Sequence, residues 1–239
     1  MMPAWLSSLR AFGRARLSRE GCLGLQVTAG MLVLLTALAV FAAIAEDVMA
    51  AESITRMDAQ VAQWFHAHAT PLLTQCMLWV TRLHSTLGII ALCLLLAVYW
   101  GRTQAWDWLL TLVLAVPLGM LLNVLLKNIF QRARPSFEVP LLTLNTYSFP
   151  SGHATAATLF YGVLAAYAIS RSSAWPWRVL MAWLAVSLAA LVGLSRIYLG
   201  VHYVSDVLAG MAEGCGWLAI VLTAVGIVRR RRQRPVVTL

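Results

Sequence analysis

The centre of the chain holds a long apolar stretch, residues 106–130, which reads WDWLLTLVLAVPLGMLLNVLLKNIF. An α-helix needs about 20 predominantly apolar residues to cross the hydrocarbon core of a bilayer, and this stretch is long enough. Its first residue, Trp106, is of the type found at the boundary between membrane and water. The stretch therefore predicts a membrane-spanning helix with Lys127 near one end.

Five more apolar runs surround this one. The six runs occupy residues 22–45, 85–100, 106–130, 153–169, 177–194 and 204–228. Of the 239 residues, 61% are hydrophobic and only 11% are charged, as in an integral membrane protein. We therefore expect an all-α fold: a polytopic membrane protein with six transmembrane helices in one bundle, forming a single membrane domain over residues 1–239.

The first run admits two interpretations. Ala43-Ile44-Ala45 resembles a signal-peptidase site, which would make residues 22–45 part of a cleaved signal peptide. The apolar core is long for a signal peptide, so we favour an uncleaved membrane anchor. Either interpretation leaves the orientation of the following helices unchanged.

Residues 46–84 have a mixed composition. Apolar side chains recur there at helical spacing between polar ones: Ile54, Met57, Val61, Trp64 and Phe65. This pattern predicts an amphipathic helical segment that lies at the membrane surface. Thr70-Pro71 predicts a break and the start of a new helix, because proline is favoured at the first position of a helix.

The positive charge of the chain indicates membrane topology. The formal net charge is +9, but the arginines cluster in short flanks at residues 10–19 and 229–234. Clusters of this kind beside membrane spans are typical topology signals. We therefore do not expect nucleic acid as a partner.

Six helices place both termini on one side of the membrane, and basic residues are more numerous on that side. The side with the termini holds twelve of them: Arg10, Arg14, Arg16, Arg19, Arg102, Arg171, Arg178, Arg229, Arg230, Arg231, Arg232 and Arg234. The other side holds six: Arg56, Arg82, Lys127, Arg132, Arg134 and Arg196. The positive-inside rule therefore predicts a cytoplasmic N-terminus (1–21) and a cytoplasmic tail (229–239), with 46–84, 131–152 and 195–203 outside.

One polar cluster on the outer side combines three kinds of reactive or charged group. Ser195-Arg196 is followed by His202 and Asp206 at the edge of apolar runs. His202 and Asp206 are four residues apart, so in a helix their side chains share a face and can touch. A carboxylate beside an imidazole holds its tautomer, and a guanidinium suits a phosphate. The cluster therefore indicates phosphoryl transfer.

Two further polar clusters fall on the same side. Lys127, the only lysine of the chain, is followed by Arg134-Pro135; a lysine at a helix end is also a common interfacial anchor. Residues 150–153 read PSGH, and a helix that starts there leaves backbone N–H groups free. Such a start can bind an anion, or it can be an ordinary serine N-cap. Together, the clustered cations indicate an anionic ligand such as a phosphate monoester or diphosphate.

The three clusters resemble the signature motifs of the type 2 phosphatidic acid phosphatase family in residues, spacing and order. The motifs are Lys127-x6-Arg134-Pro135, Pro150-Ser151-Gly152-His153 and Ser195-Arg196-x5-His202-x3-Asp206. They lie between residues 127 and 206, and the layout of six helices extends the resemblance over most of the chain. The resemblance implies a phosphatase that uses neither a metal nor another cofactor, with a catalytic core over residues 107–228.

The resemblance also implies a role for each motif residue. His202 would attack phosphorus and form a phosphohistidine, Asp206 would orient His202, and His153 would protonate the leaving oxygen and later activate water. The residues implied to hold the phosphate are Lys127, Arg134, Ser151, Gly152 and Arg196.

Several polar residues outside the motifs have weaker functional signals. Asn123 lies one turn before Lys127 and either orients it or forms a hydrogen bond across helices. Glu213 lies seven residues after Asp206, and it is either functional or a structural partner of another helix. The other histidines lack metal-ligand spacing, and we interpret them as surface residues: His66, His68 and His84.

We therefore expect an enzyme of a bacterial-type inner membrane that acts on a lipid phosphate at the extracytoplasmic face. The family suggests undecaprenyl diphosphate as the first substrate, with phosphatidylglycerophosphate, phosphatidic acid and diacylglycerol diphosphate as alternatives. A lipid phosphotransferase would use the same site. A non-catalytic lipid carrier is disfavoured by the intact motif histidines. The partners are the lipid phosphate and the bilayer, and the oligomeric state is not indicated.

Overall fold

The computed structural model describes residues 22–51 and 53–233, and within these residues it contains helices and no strands. The helices are α1 Cys22–Met49, α2 Ser53–Ala67, α3 Pro71–Leu83, α4 Thr86–Arg102, α5 Trp106–Phe130, α6 Gly152–Arg171, α7 Trp175–Tyr198 and α8 Val204–Gln233. The expectation of an all-α membrane protein is confirmed. The predicted basic N-terminus (1–21) and the end of the predicted tail (234–239) lie outside the described residues.

Five helices of this part of the chain are long and apolar enough to cross a membrane by themselves, namely α1, α5, α6, α7 and α8. A sixth span is present if α3 and α4, which are bent by 53° relative to each other, are counted together as one broken span. Helix α3 begins at Pro71 with Thr70 as its N-cap, where the sequence predicts a new start. The chain bends between α3 and α4 because Ser85 is a second N-cap and begins α4. The Oγ of Ser85 accepts a hydrogen bond from the N–H of Gly88.

The bundle is built around α8, which packs against α1, α5, α6 and α7. Its main apolar core lies between α4, α5, α6 and α8 and includes Trp100, Leu112, Leu159 and Val163. Many other apolar side chains are exposed on the outside of the spanning helices, Leu87 for example. This distribution fits a bundle whose outer surface faces lipid.

The amphipathic helix α2 packs against α1, α7 and α8. Two side chains of its predicted apolar stripe are on the outer face, since Met57 is 47% and Trp64 is 56% exposed. The other three, Ile54, Val61 and Phe65, pack inward, and the inner face also carries the fully buried carboxylate of Asp58. A charged group thus lies in the middle of the buried face of this helix.

The start of α6 lies directly against α8. A Cβ atom at Gly210 would lie 2.6 Å from the carbonyl oxygen of Ser151 and 3.0 Å from Oγ1 of Thr155. Only glycine allows this approach, and the hydroxyl of Thr155 donates to the carbonyl oxygen of Gly210 at 3.1 Å. The contact fixes the position of residues 150–153 relative to α8.

We predict that Gly210→Ala destabilises the protein by about 1–3 kcal/mol, because the added methyl group meets backbone that cannot move aside. Thermal unfolding of the detergent-solubilised protein measures the loss. Gly101→Ala is the matched control, since a Cβ atom there has nothing within 4 Å. Equal unfolding temperatures for both variants would contradict the close contact between α6 and α8.

Candidate active site

A cavity of about 1100 Å³ opens beside α4, α5 and the start of α6. Its wall along α4 and α5 is apolar, and its other end is polar. Six of the residues singled out in the sequence line it: Asn123, Lys127, Arg134, Gly152, His153 and His202. The first and second motifs, which are distant in sequence from His202, therefore meet it in one cavity.

His202 and Asp206 form the reactive pair of this cavity. His202 lies in the turn of residues 199–203, and Asp206 lies in the first turn of α8. The Nδ1 atom of His202 is 3.3 Å from Oδ2 of Asp206, and the same oxygen accepts a hydrogen bond from the N–H of Tyr203 at 2.9 Å. Both side chains are buried, so this carboxylate holds the imidazole in one orientation.

The charge state of His202 follows from its surroundings. Burial lowers the pKa of the imidazole to about 3; Asp206 opposes this effect, while Arg134 and Arg196 add to it. His202 is therefore neutral near pH 7. Its Nδ1–H points at Asp206, and this leaves the lone pair on Nε2 for an acceptor role.

Arg134 lies against the free nitrogen of His202. Its Nη1 atom is 3.1 Å from Nε2 of His202 and donates to the carbonyl oxygen of Val201 at 2.5 Å. The other guanidinium N–H groups donate to the backbone and hydroxyl of Thr146 and to the carbonyl of Tyr147. All of these acceptors are neutral. Burial lowers the pKa of Arg134 although Asp206 opposes the effect, as expected for a cation without a direct counter-ion.

Lys127 is held by the same loop. Its Nζ atom donates to the carbonyl oxygens of Tyr147 at 2.8 Å and Ser148 at 3.3 Å. Tyr147 thus offers its carbonyl oxygen to both Lys127 and Arg134. The loop between α5 and α6 collects the two cations at the polar end of the cavity.

Arg196, near the end of α7, is buried behind the cavity and does not line it. Its Nη1 atom donates to Oγ1 of Thr81 on α3, while Nε and Nη2 have no hydrogen-bond partner among the described residues. Within residues 22–51 and 53–233, none of the three cationic side chains predicted to bind phosphate forms a salt bridge: Lys127, Arg134 and Arg196. Lys127 and Arg134 are partly buried and Arg196 is fully buried, so a bound anion would compensate charges that are costly to bury alone.

The start of α6 supplies the remaining motif residues. Ser151 is its N-cap residue, but its buried hydroxyl has no partner among the described residues. The backbone N–H of Ser151 donates to the carbonyl oxygen of Asp206 at 2.9 Å, so this start is tied to the third motif. Gly152 and His153 face the cavity in the first turn of α6, where backbone N–H groups lack helical acceptors.

Asn123 and Glu213 lie side by side beneath the polar end of the cavity. The Nδ2 atom of Asn123 donates to Oε2 of Glu213 at 2.8 Å and to Oγ1 of Thr155 at 3.1 Å. Thr155 in turn lies 3.0 Å from the same oxygen of Glu213. The side chain of Asn123 therefore bonds across helices α5, α6 and α8, and it makes no hydrogen bond to Lys127 in the described structure.

Three residues that the sequence analysis did not single out as site residues lie next to His202 and Asp206, namely Arg132, Asp58 and Ser205. Arg132 donates from Nη1 to Oδ1 of Asp206 at 2.6 Å and from Nη2 to Oδ2 of Asp58 at 2.9 Å. Burial opposes the charged guanidinium, but the carboxylates prevail and hold the pKa of Arg132 above its usual value. One signal was present in the sequence: Asp58 interrupts the apolar face of an amphipathic helix.

The interpretation of His84 as a surface residue is wrong. His84 is buried at the bend between α3 and α4 and lines the cavity. Its Nδ1–H donates to the carbonyl oxygen of Val80 at 2.8 Å, and its Nε2 lies 2.6 Å from the hydroxyl of Tyr161. The bend turns this ring inward, and a bend of this kind has no periodic signal in the sequence. In contrast, His68 is exposed and stacks on Trp64.

Comparisons with known proteins agree with this geometry. Phosphatidylglycerophosphatase B of Bacillus subtilis is 34% identical over 166 residues, which cover 69% of this chain and 81% of that protein. Undecaprenyl-diphosphatase of Sulfolobus acidocaldarius is 30% identical over 131 residues, 52% of this chain and 59% of that protein.

A crystal structure of a transmembrane PAP2-type phosphatidylglycerolphosphate phosphatase from Bacillus subtilis has the same fold. It superposes with a TM-score of 0.69 and 28% sequence identity over 86% of this chain and 98% of that one. The family model of the PAP2 superfamily matches residues 108–230, a segment that includes Lys127, His153 and His202. Because this segment is more than half of the chain and contains the three motifs, the chain belongs to the PAP2 superfamily and is a membrane lipid phosphatase.

Proposed function

We propose that this enzyme removes phosphate from a lipid diphosphate or monophosphate through a phosphohistidine on His202, without a metal ion. One observation carries the proposal: a neutral imidazole meets cations without carboxylate partners at the polar end of an otherwise apolar cavity. Phosphoryl transfer needs mainly positioning and charge stabilisation, and this arrangement supplies both.

Binding of the phosphate engages the three cations. Lys127 and Arg134 exchange carbonyl acceptors for phosphate oxygens, and Arg196 supplies positive charge from behind. Charge-assisted hydrogen bonds to phosphate are stronger than those to neutral carbonyls, so the exchange is favourable. It also draws Arg134 away from Nε2 of His202, which then faces phosphorus.

The first chemical step forms one bond and breaks another. The lone pair on Nε2 of His202 forms an N–P bond while the P–O bond to the leaving group breaks. His153, which takes up a proton when the anionic phosphate binds beside it, gives that proton to the leaving oxygen. Asp206 stabilises the positive charge that develops on the imidazole. In the second step, His153 takes a proton from water, the new O–P bond forms, and the N–P electron pair returns to His202.

The apolar wall accounts for the lipid part of the substrate. Side chains of α4 and α5 provide it: Ile89, Cys93, Ala97, Val113, Val116 and Val124. A tail between these helices would place its phosphate at the polar end, beside His202. An amphiphile is therefore the substrate class.

Our first choice of substrate is undecaprenyl diphosphate. Three cations without carboxylate partners balance the charge of a diphosphate ester better than that of a monophosphate, and one relative of this chain is an undecaprenyl-diphosphatase. Phosphatidylglycerophosphate is the second candidate because the relative with 34% identity acts on it by name. Transfer of the phosphoryl group to a second lipid would use the same site.

We further propose a bacterial-type inner membrane, with both termini in the cytoplasm and the site at the extracytoplasmic face. The arginine-rich end of α8 and the site lie at opposite ends of this helix, since His202 directly precedes α8, Asp206 lies in its first turn and Arg229 lies in its last turns. The positive-inside rule assigns the arginine-rich end to the cytoplasm. We assign the catalytic core to residues 107–228 and contact with the membrane surface to the part of residues 46–84 that precedes α3.

We predict phosphate release from undecaprenyl diphosphate by the purified enzyme in detergent, unchanged by a metal chelator. The assay compares it with phosphatidylglycerophosphate, phosphatidic acid and diacylglycerol diphosphate at equal mole fractions. A higher kcat/KM for the monophosphates would overturn the choice of a diphosphate. Loss of activity in chelator would contradict the metal-free mechanism, and labelled phosphate on an acceptor lipid would indicate transfer.

We predict that His202→Ala lowers the rate of phosphate release at least about 1000-fold, because the nucleophile is lost. An alkaline quench after reaction with a ³²P-labelled substrate should trap an acid-labile phosphoenzyme in the wild type and none in the variant. His68→Ala is the matched control: this histidine is exposed in the turn that follows α2, so the variant should retain full activity. Substantial turnover by His202→Ala would remove His202 as the nucleophile.

We predict that His153→Asn separates the two chemical steps. With a lipid phosphate, its rate should fall about 10²- to 10⁴-fold because the leaving oxygen receives no proton. With p-nitrophenyl phosphate, whose leaving group needs no proton, the first step should persist and give one equivalent of nitrophenolate. The phosphoenzyme should then accumulate, because water is no longer activated. An equal rate loss for both substrates, without a burst, would contradict this role.

A further inference from the structure

Asp58 is the buried carboxylate of α2 and lies outside the segment that matches the family model. It does not line the cavity, so it does not touch the substrate. Burial of a carboxylate is costly unless hydrogen bonds or a cation compensate for it. The partners of Asp58 therefore indicate what its burial achieves.

Two of these partners are groups of one residue, Ser205, in the first turn of α8. The backbone N–H of Ser205 donates to Oδ1 of Asp58 at 3.1 Å, and the hydroxyl of Ser205 donates to Oδ2. The first N–H groups of a helix lack helical acceptors, and a negative charge near them is favourable. Asp58, on another helix, thus caps the N-terminus of α8 at Ser205, the residue directly before Asp206.

The third partner of Asp58 is Arg132, which leads directly to Asp206. Arg132 lies between the two carboxylates, at 2.9 Å from Asp58 and 2.6 Å from Asp206. The hydroxyl of Ser205 also accepts from Nη1 of Arg132 at 2.7 Å, and the guanidinium lies 4.4 Å from the ring centre of Tyr203. These contacts hold Arg132 on Oδ1 of Asp206 and leave Oδ2 for His202.

We propose that Asp58 is a positioning residue for phosphoryl transfer, which acts through Arg132 on Asp206 and through Asp206 on His202. This inference rests on the proposed function of His202. Asp58 shares the positive charge of Arg132, so Asp206 keeps enough negative charge to stabilise the imidazolium that forms during attack. Helix α2 is therefore part of the catalytic apparatus although it contributes nothing to the cavity wall.

The first test separates kcat from KM in Asp58→Asn. The side chain keeps its size but loses its charge. We expect kcat to fall about 10- to 100-fold, the size of loss that is typical when a residue that orients a functional side chain is changed. KM should stay within about twofold, because Asp58 is remote from the substrate. The rate of phosphoenzyme formation should fall by the same factor as kcat. An unchanged kcat would overturn the inference.

The second test asks whether Arg132 transmits the effect. In Arg132→Gln, two buried carboxylates face each other without their shared cation, so adding Asp58→Asn should cost no further activity and can restore some. If the two substitutions instead reduce kcat independently, with multiplied factors, Asp58 does not act through Arg132. Should Asp58→Asn fail to give monodisperse protein, Ser205→Ala tests the same connection and should show the same dependence on Arg132.

The control for charge and stability is Asp107→Asn. Asp107 lies at the start of α5, at the end opposite to Lys127, and its Oδ2 is 3.7 Å from Nε of Arg229 on α8. The variant therefore loses a carboxylate beside an arginine, but far from His202. It should retain the wild-type kcat, and thermal unfolding of each variant records any general loss of stability. A wild-type enzyme that forms no phosphohistidine would refute the proposed function, whereas normal kcat in Asp58→Asn of an active enzyme refutes only this inference.

Discussion

A charge buried in a membrane bundle is costly unless something compensates for it, and two groups of charges near His202 differ in how this is achieved. In the first group, Arg132 is shared by Asp58 and Asp206, and all four carboxylate oxygens have a partner at hydrogen-bond distance. In the second group, the cations contact only neutral acceptors or have atoms without partners among the described residues: Lys127, Arg134 and Arg196. The first group holds Asp206 beside His202, and the second group is the one that we propose binds the phosphate.

The contact between Arg134 and His202 would connect substrate binding to activation in the proposed mechanism. The guanidinium lies 3.1 Å from Nε2 of His202, the nitrogen that we propose attacks phosphorus. A phosphate would provide Arg134 with a charged acceptor, which is stronger than the carbonyls that it contacts. On this proposal, the same anion that binds Arg134 uncovers the lone pair of His202.

The sequence predicts the parts of this fold that depend on local composition. Five spans follow from the length and hydropathy of runs such as residues 106–130, and the helix start at Pro71 follows from the conformational limits of proline. The buried position of His84 depends on a bend between two helices and on packing against Tyr161, so no local pattern contains it. Similarly, Met57 and Trp64 fit the predicted helical stripe, but tertiary contacts bury only the other part of that stripe, which includes Val61 and Phe65.

The site shows the same division between local and tertiary information. His202 and Asp206 meet because a spacing of four residues brings them together, and their sequence alone indicates chemistry. Arg132 pairs with Asp58 across 74 positions of the chain, so only the folded structure reveals the pair. The one local sign was a carboxylate on the apolar face of α2, and such a residue requires a buried partner wherever it occurs.

The bend between α3 and α4 divides one span into two elements with different tasks. Before the bend, α3 packs against α7, and Thr81 accepts a hydrogen bond from Arg196. After the bend, α4 packs mainly against α5 and contributes to the apolar wall of the cavity. A straight helix could not both support Arg196 behind the site and open a lateral wall for a lipid tail. The N-cap at Ser85 therefore separates the part of the chain that holds Arg196 from the part that lines the apolar wall, as a substrate with a phosphate and a lipid tail would require in our proposal.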